Sequence, residues 1–426
     1  MMRFPMAAIP RFIVAGISLS LCTILAPLEL FAQEDDPMTY GEALTFLAKH
    51  TDVVELMSES GARVAVCPEW QGRVMTSTDG GEDEPSFGFI FQSYIESGEF
   101  DPHFNNYGGE DRFWLSPEGG DFSLWFAPGV EQTLDDWYTP PGFNVGPFEP
   151  MRTPTASQCT MRRRMELTNT AGTEFKLVVT RTIRMLDGED IAEYFGDEAA
   201  QVLTGDGVSL VGYESINEIA NAGPPMKKKG GLLSVWILGM YNPGDECVVM
   251  LPYKKGPESN LGPIVKSDYF GQVPPDRLKI TQDAVLLMAD TQWRSKIGVS
   301  QLRATPLAGS IDFERGILTL VTFNMPEDPN ACDYMNNMWE TPTEVPYRGD
   351  VVNSYNDGPT EPGGEPLGGF YELETLSQAR ELQHDESLTH RHTTLHIRAD
   401  EETLASIART VLGVELDDVR EAMFGE

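Results

Sequence analysis

The feature that most constrains this chain is a hydrophobic alternation with a period of two residues, which recurs between short turns from about residue 53 to residue 397. Residues 161–167 alternate apolar and charged side chains, turn at Thr168-Asn169-Thr170-Ala171-Gly172-Thr173, and return over 175–185. That is the pattern of a hairpin with one wet face. Residues 232–240 and 246–251 flank the turn-formers Asn242, Pro243 and Gly244 and read as a second, more deeply buried hairpin. Shorter β-prone runs lie at 63–66, 72–76, 87–94, 285–288, 297–302, 310–313, 317–323, 370–376 and 393–397. Helical spacing is confined to the ends. Thr39 and Glu42 form a capping-box pattern ahead of 40–49. Asp400 caps a stretch with Leu404, Ile407, Ala408, Val411 and Leu412 on one side, stopped by Gly413, and a second amphipathic turn runs to Phe424. These C-terminal helices are expected to cover a sheet edge. The fold class is therefore all-β, with short helices at both ends.

The first residues bear on location. Arg3 and Arg11 precede an apolar run over 12–26, Pro27 closes it, and Leu30-Phe31-Ala32 ends in the small residue a signal peptidase requires. Cleavage after Ala32 is expected, giving an exported periplasmic or extracellular protein. Lipid attachment at Cys22 is the less favoured alternative, because Leu21 stands where that processing wants a small residue. Residues 33–426 show no single Pro/Gly-rich seam and are expected to form one domain, with helices from about 400.

Charge narrows the partners. Loss of residues 1–32 removes two arginines and one glutamate, moving the formal charge from −35 to −36. Such a field repels phosphate backbones and anionic lipid, so neither nucleic acid nor, after signal cleavage, a membrane is an expected partner. Cys67, Cys159, Cys247 and Cys332 remain; an oxidising compartment permits disulfides, and their pairing stays open. Their spacing matches no zinc motif, and no metal or cofactor is expected.

Three segments carry candidate chemistry. The first is His103-Phe104-Asn105-Asn106-Tyr107-Gly108-Gly109-Glu110-Asp111-Arg112-Phe113-Trp114, followed by Ser116-Pro117-Glu118-Gly119-Gly120. Asn105, Asn106, Glu110 and Arg112 offer directional bonds to hydroxyls, and Trp114 a flat face for a pyranose ring. The second runs from Asn336-Asn337-Met338-Trp339-Glu340 through Asn353, Tyr355 and Asp357, repeating that chemistry as a second cleft wall. In the third, Gly368-Gly369-Phe370-Tyr371-Glu372-Leu373-Glu374-Thr375, alternation puts Glu372 and Glu374 on one strand face, where mutual repulsion raises one pKa. His390, His392 and His396 also share a face, but their spacing is long for one ion, and packed histidines are expected.

The runs NNYGGEDRFWLSPEGG, GDVVNSYNDGP, GGFYELETLS and ESLTHRHTTLH resemble an uncharacterised family of exported bacterial proteins related to the galactose mutarotase-like (aldose 1-epimerase-like) group, over about residues 40–397. The resemblance implies a β-supersandwich of two large antiparallel sheets with a concave sugar-binding face. It also implies a late glutamate that takes the anomeric hydroxyl proton while a histidine protonates the ring oxygen. Glu374 is similar in placement to that glutamate, with Glu372 in reserve, and His103 is the histidine near the first loop; Arg112 would hold hydroxyls. The expected partner is a neutral mono- or oligosaccharide. A sugar epimerase, a non-catalytic glycan-binding protein, and a glycoside hydrolase or polysaccharide lyase remain open readings, as does the oligomeric state.

Overall fold

The computed structural model describes residues 38–359, 364 and 366–425. The expected signal segment and cleavage site lie outside the described residues. Strand Gln158–Thr168 pairs antiparallel with Glu174–Met185, as the alternation requires. Cys159, Met161, Met165 and Leu167 point inward with Phe175, Leu177, Val179 and Ile183, while Arg162, Arg164 and Glu166 face water. This hairpin belongs to a ten-stranded sheet whose centre is formed by Leu307–Asp312, Ile317–Phe323, Ser387–Arg398 and Ser209–Asn221.

A five-stranded sheet runs in the order Ser295–Ser300, Asp350–Asn356, Tyr371–Leu376, Ser234–Tyr241 and Arg112–Ser116, again all antiparallel. Val54–Met57, Arg63–Cys67 and Arg73–Thr78 form a third sheet of three strands. The mostly β architecture of large antiparallel sheets is the expected one.

The layer between the two larger sheets is laced with polar side chains. Thr375 Oγ1, from the five-stranded sheet, lies 2.8 Å from His390 Nε2 and 2.8 Å from His392 Nδ1, both on the ten-stranded sheet. His396 Nε2 meets Glu110 Oε2 at 2.8 Å, and its Nδ1 meets Thr319 Oγ1 at 2.9 Å. The three histidines are thus packed, hydrogen-bonded groups. Arg181 donates to Asp111, both fully buried. Breaking one side of such a pair strands a buried charge.

Several elements differ from the sequence expectation. The run 232–251 is no hairpin: Ser234–Tyr241 joins the five-stranded sheet and Cys247–Pro252 the ten-stranded one. Both strands are buried on both faces, so neither carries the alternation that would mark its partner. Their connection is drawn across by Asn242 Nδ2, which donates to the Gly88 carbonyl at 3.1 Å, and by Gly244 N–H, which donates to Asp312 at 3.0 Å.

Residues 87–94 give only isolated bridges before helix Gln92–Ser97 begins. Helices also occur mid-chain, at Gly188–Phe195 and Asp197–Leu203. The first is announced by a capping box, Asp187 accepting from the Glu189 and Asp190 amides. These helices, with Glu401–Leu412 and Leu416–Phe424, cover a face of the ten-stranded sheet rather than its edge. Leu404, Ile407, Leu416 and Val419 pack over Val248, Met250, Leu286, Leu318 and Leu395, the apolar residues of strands that need cover on both sides. Cys67, Cys159, Cys247 and Cys332 are all free thiols.

Burial pushes His390 down to about 3, reinforced by His392, and His392 down to about 4. Both rings are therefore neutral in the fold. An unfolded histidine protonates below about pH 6.5, so the unfolded state binds more protons between that pH and the folded values. The stabilisation is complete above about pH 6.5 and is lost as pH falls towards 4. The unfolding free energy from urea titrations run against pH should drop in this window by an amount on the order of 3 kcal/mol for His392. The acid limb should be shallower in His392→Asn.

Candidate functional site

Strand alternation sends Thr375, Leu373 and Tyr371 into the sandwich and turns Glu372 and Glu374 to the other face of the five-stranded sheet. Register then determines their neighbours. Glu374 lies opposite Asn353 on one side and Leu238 on the other, and Leu238 opposite Arg112; Glu372 lies opposite Tyr355, and Tyr355 opposite Lys296. Directly paired residues share a face, so five adjacent strands assemble one polar platform.

Glu374 is fully buried. Lys296 Nζ lies 2.9 Å from its Oε1 and 3.1 Å from its Oε2, and Oε2 also accepts from Trp236 Nε1 at 2.9 Å and Asn353 Nδ2 at 3.2 Å. Glu372 accepts from Arg112. The Arg112 guanidinium sits 5.5 Å from the centre of the Phe104 ring and 5.1 Å from that of Trp114, and Lys296 sits 4.8 Å from Trp236. At the rim, Asp350 takes bonds from Tyr269 and, at 3.1 Å, Lys266. Half-buried Glu118 accepts from Trp137 Nε1 at 2.9 Å.

The platform also holds unmet valence. Arg112 Nε and Nη1 and Asn353 Oδ1 are buried without a hydrogen-bond partner among the described residues, and Glu374 Oε1 has the Lys296 ion pair alone. Buried polar atoms are ordinarily paired, so a cluster of donors and acceptors left over on one sheet face is what a hydroxyl-rich ligand or ordered water would complete.

The electrostatics separate the two strand glutamates. Burial pushes Glu372 up to about 7, opposed by Arg112 and reinforced by Glu374. Burial also raises Glu118, against Lys296 and its indole donors. For Lys296, burial disfavours the cation, but Glu374, Glu118 and Glu372 together outweigh it and hold the group above its ordinary value. Burial lowers Arg112, with Glu372 and Glu374 opposing.

Of the residues singled out in the sequence, Arg112, Trp114, Asn353, Tyr355, Glu372 and Glu374 share this face. Tyr355 donates to Asp357 at 2.9 Å, and Asp357 in turn receives the Gly368 and Gly369 amides at 2.9 and 3.0 Å, so Asp357 pins a turn. Asn105 is a loop clamp, its backbone and side chain bound to Asn144. Asn106 holds the Leu367 carbonyl at 3.1 Å. Glu110 lies between the sheets on His396.

His103 bonds the Trp137 carbonyl at 2.6 Å and stacks on Tyr138, and among the described residues it makes no bond to Glu374. Lys296, Trp236, Tyr269 and Glu118 went unmarked as site residues in the sequence. Lys296 stands just ahead of the 297–302 run, a cation beside a β-prone stretch, whereas Trp236 is indistinguishable from core. Clefts of about 360 and 340 Å³ open elsewhere, beside Phe87 and Tyr241 and beside Trp125 and Tyr138.

A family model matches residues 38–423. The chain belongs to the family of unknown function DUF6786. None of the curated proteins compared with this DUF6786 member matches it. Solved structures similar to it include a putative aldose 1-epimerase from Escherichia coli K12, at 12% identity and TM-score 0.47, covering 82% of this chain and 99% of that one. The Slr1438 protein from Synechocystis sp. PCC 6803 is similar at 13% identity and TM-score 0.46, covering 82% and 96%. A galactose mutarotase-like protein from Lactobacillus casei follows at 9% identity and TM-score 0.44, covering 82% and 100%.

The position of Glu372 is open to direct measurement. Carbon-13 carboxyl NMR of the DUF6786 chain should show one glutamate titrating near pH 7, absent from Glu372→Gln. In Arg112→Met, where the opposing cation is removed, its midpoint should move upward.

Proposed function

We propose that this chain is an exported protein that binds a neutral mono- or oligosaccharide on the platform of the five-stranded sheet and moves protons at the sugar's anomeric centre. The observation that carries the reading is the cluster of unpaired polar atoms on Arg112 and Asn353 beside the buried Glu374 carboxylate, flanked by Phe104, Trp114 and Trp236. A sugar ring needs that combination, with hydroxyls for the polar atoms and a C–H face for the aromatic ones.

In this reading Glu374 takes the proton of the anomeric hydroxyl as base. The acid is Glu372 rather than His103. Its pKa of about 7 leaves it substantially protonated at neutral pH, whereas the His103 ring is engaged with Trp137 and Tyr138. As the anomeric O–H bond breaks and the carbonyl forms, the bond from the anomeric carbon to the ring oxygen opens and that oxygen receives the Glu372 proton. Reclosure on the other face returns both protons. Arg112 and Lys296 hold hydroxyls and steady the shared charge. A second reading, binding without turnover, draws on the three donors already holding Glu374, which occupy the oxygen that would meet the hydroxyl proton.

Saturation-transfer NMR of the mature protein with neutral sugars, followed for anomeric exchange, tests both. Glu374→Gln should slow exchange by about 100-fold or more while sugar still binds. The wild-type rate should fall as pH rises through about 7, where Glu372 loses its proton. Binding with no exchange at any pH would leave the second reading; no binding by any sugar would end both.

A further inference from the structure

We propose that the platform continues into an exposed aromatic shelf, built from Phe270 and Trp293 around Arg294, that receives a second sugar ring, so that the ligand is an oligosaccharide rather than a single sugar. This rests on the preceding reading of the platform. Among the described residues Trp293 is the one exposed tryptophan, at 44%, and Phe270 is 50% exposed. Phe270 lies against the platform residue Tyr355, and Trp293 directly precedes Arg294, whose guanidinium lies over Phe270; large rings left in water next to such a face mark a contact surface.

Continuity with the platform is direct. Phe270 follows Tyr269, which bonds Asp350, and its ring meets Tyr355 edge-on with centres 6.0 Å apart. Tyr355 in turn pairs with Glu372. The Arg294 guanidinium lies 4.6 Å from the Phe270 ring centre and 5.8 Å from that of Tyr355, and its Nε is buried without a hydrogen-bond partner among the described residues. An unmet donor thus sits between two aromatic rings at the edge of the proposed sugar site.

The turn that carries Trp293 and Arg294 is tied to the platform. Asn356, at the end of a platform strand, grips the turn with both amide atoms, accepting from Thr291 N–H at 3.1 Å and donating to the Trp293 carbonyl at 2.9 Å. Gly358 permits the close approach, since a Cβ there would fall 2.6 Å from Arg294 N. Rigid aromatic faces cost little entropy on binding and stack on the C–H face of a pyranose. The chemistry therefore fits a neutral glycan of two or more rings, one ring over Glu374 and the next on the shelf.

Isothermal titration of the whole mature protein with neutral gluco- and galacto-oligosaccharides of one to four rings tests this. Affinity should rise about two- to tenfold from one ring to two or three. Phe270→Ala and Trp293→Ala should each remove most of that gain and leave single-ring affinity unchanged. A flat dependence on chain length overturns the shelf while leaving the single-sugar platform standing. Equal losses for one ring and several also overturn it, because the rings then shape the platform. Silence towards every saccharide overturns the shelf together with the platform reading beneath it.

Discussion

Three consecutive side chains tie the molecule together. Glu110 holds His396 of the ten-stranded sheet, Asp111 pairs with Arg181 on another strand of that sheet, and Arg112 crosses to the opposite face and holds Glu372. Gly108 and Gly109 precede them at φ of 88° and 111°, and a Cβ on Gly108 would strike the Phe89 carbonyl. The backbone is thereby fixed at the point where successive side chains must diverge. Removing one partner of a buried ion pair costs roughly 3–5 kcal/mol, so the orientation of the two sheets and the order of the platform depend on the same few residues.

Charge distribution gives the platform its chemical character. The chain carries 31 lysines and arginines against 66 acidic residues, yet Arg112, Lys266 and Lys296 all stand on or beside one face. Each is matched to a carboxylate: Glu372, Asp350 and Glu374. Under the proposed function this balance matches a neutral, hydroxyl-bearing ligand, since protein carboxylates offset the positive charge and an anionic glycan would meet the acidic field of the whole chain. What stays available is directional, in the form of guanidinium and amide edges.

How much of this was legible follows from where periodicity speaks. The 158–185 hairpin, the pairing of Glu372 with Glu374 on one face, and both capped terminal helices could be read directly, because one wet face or one apolar stripe records the partner. Strands buried on both faces carry no such record, which is why 234–241 and 247–252 looked like a hairpin and proved to belong to different sheets. The Asn/Gly/aromatic loop density found the platform's neighbourhood but mixed its parts: Arg112 and Trp114 lie on the platform face, whereas Asn105 and Glu110 are clamps. Lys296 comes onto the platform through register, a long-range relation that local pattern does not contain.

The small bond between the sheets has a directional consequence. Thr375 has a single hydroxyl proton to share between His390 and His392, and His392 Nε2 faces Thr394 Oγ1 at 3.2 Å. With both rings neutral, each offers one N–H, and once Thr375 gives its single proton to one of them every bond along this row points the same way. His390 Nδ1 is buried without a partner among the described residues, and an unpaired lone pair is cheaper there than an unpaired N–H. The row then runs from His390 Nε2–H to Thr375, from Thr375 to His392 Nδ1, and from His392 Nε2–H to Thr394. The tautomers of two histidines on a sheet interior are thus set by one hydroxyl whose own residue adjoins Glu374, a polarised wire one peptide bond behind the platform.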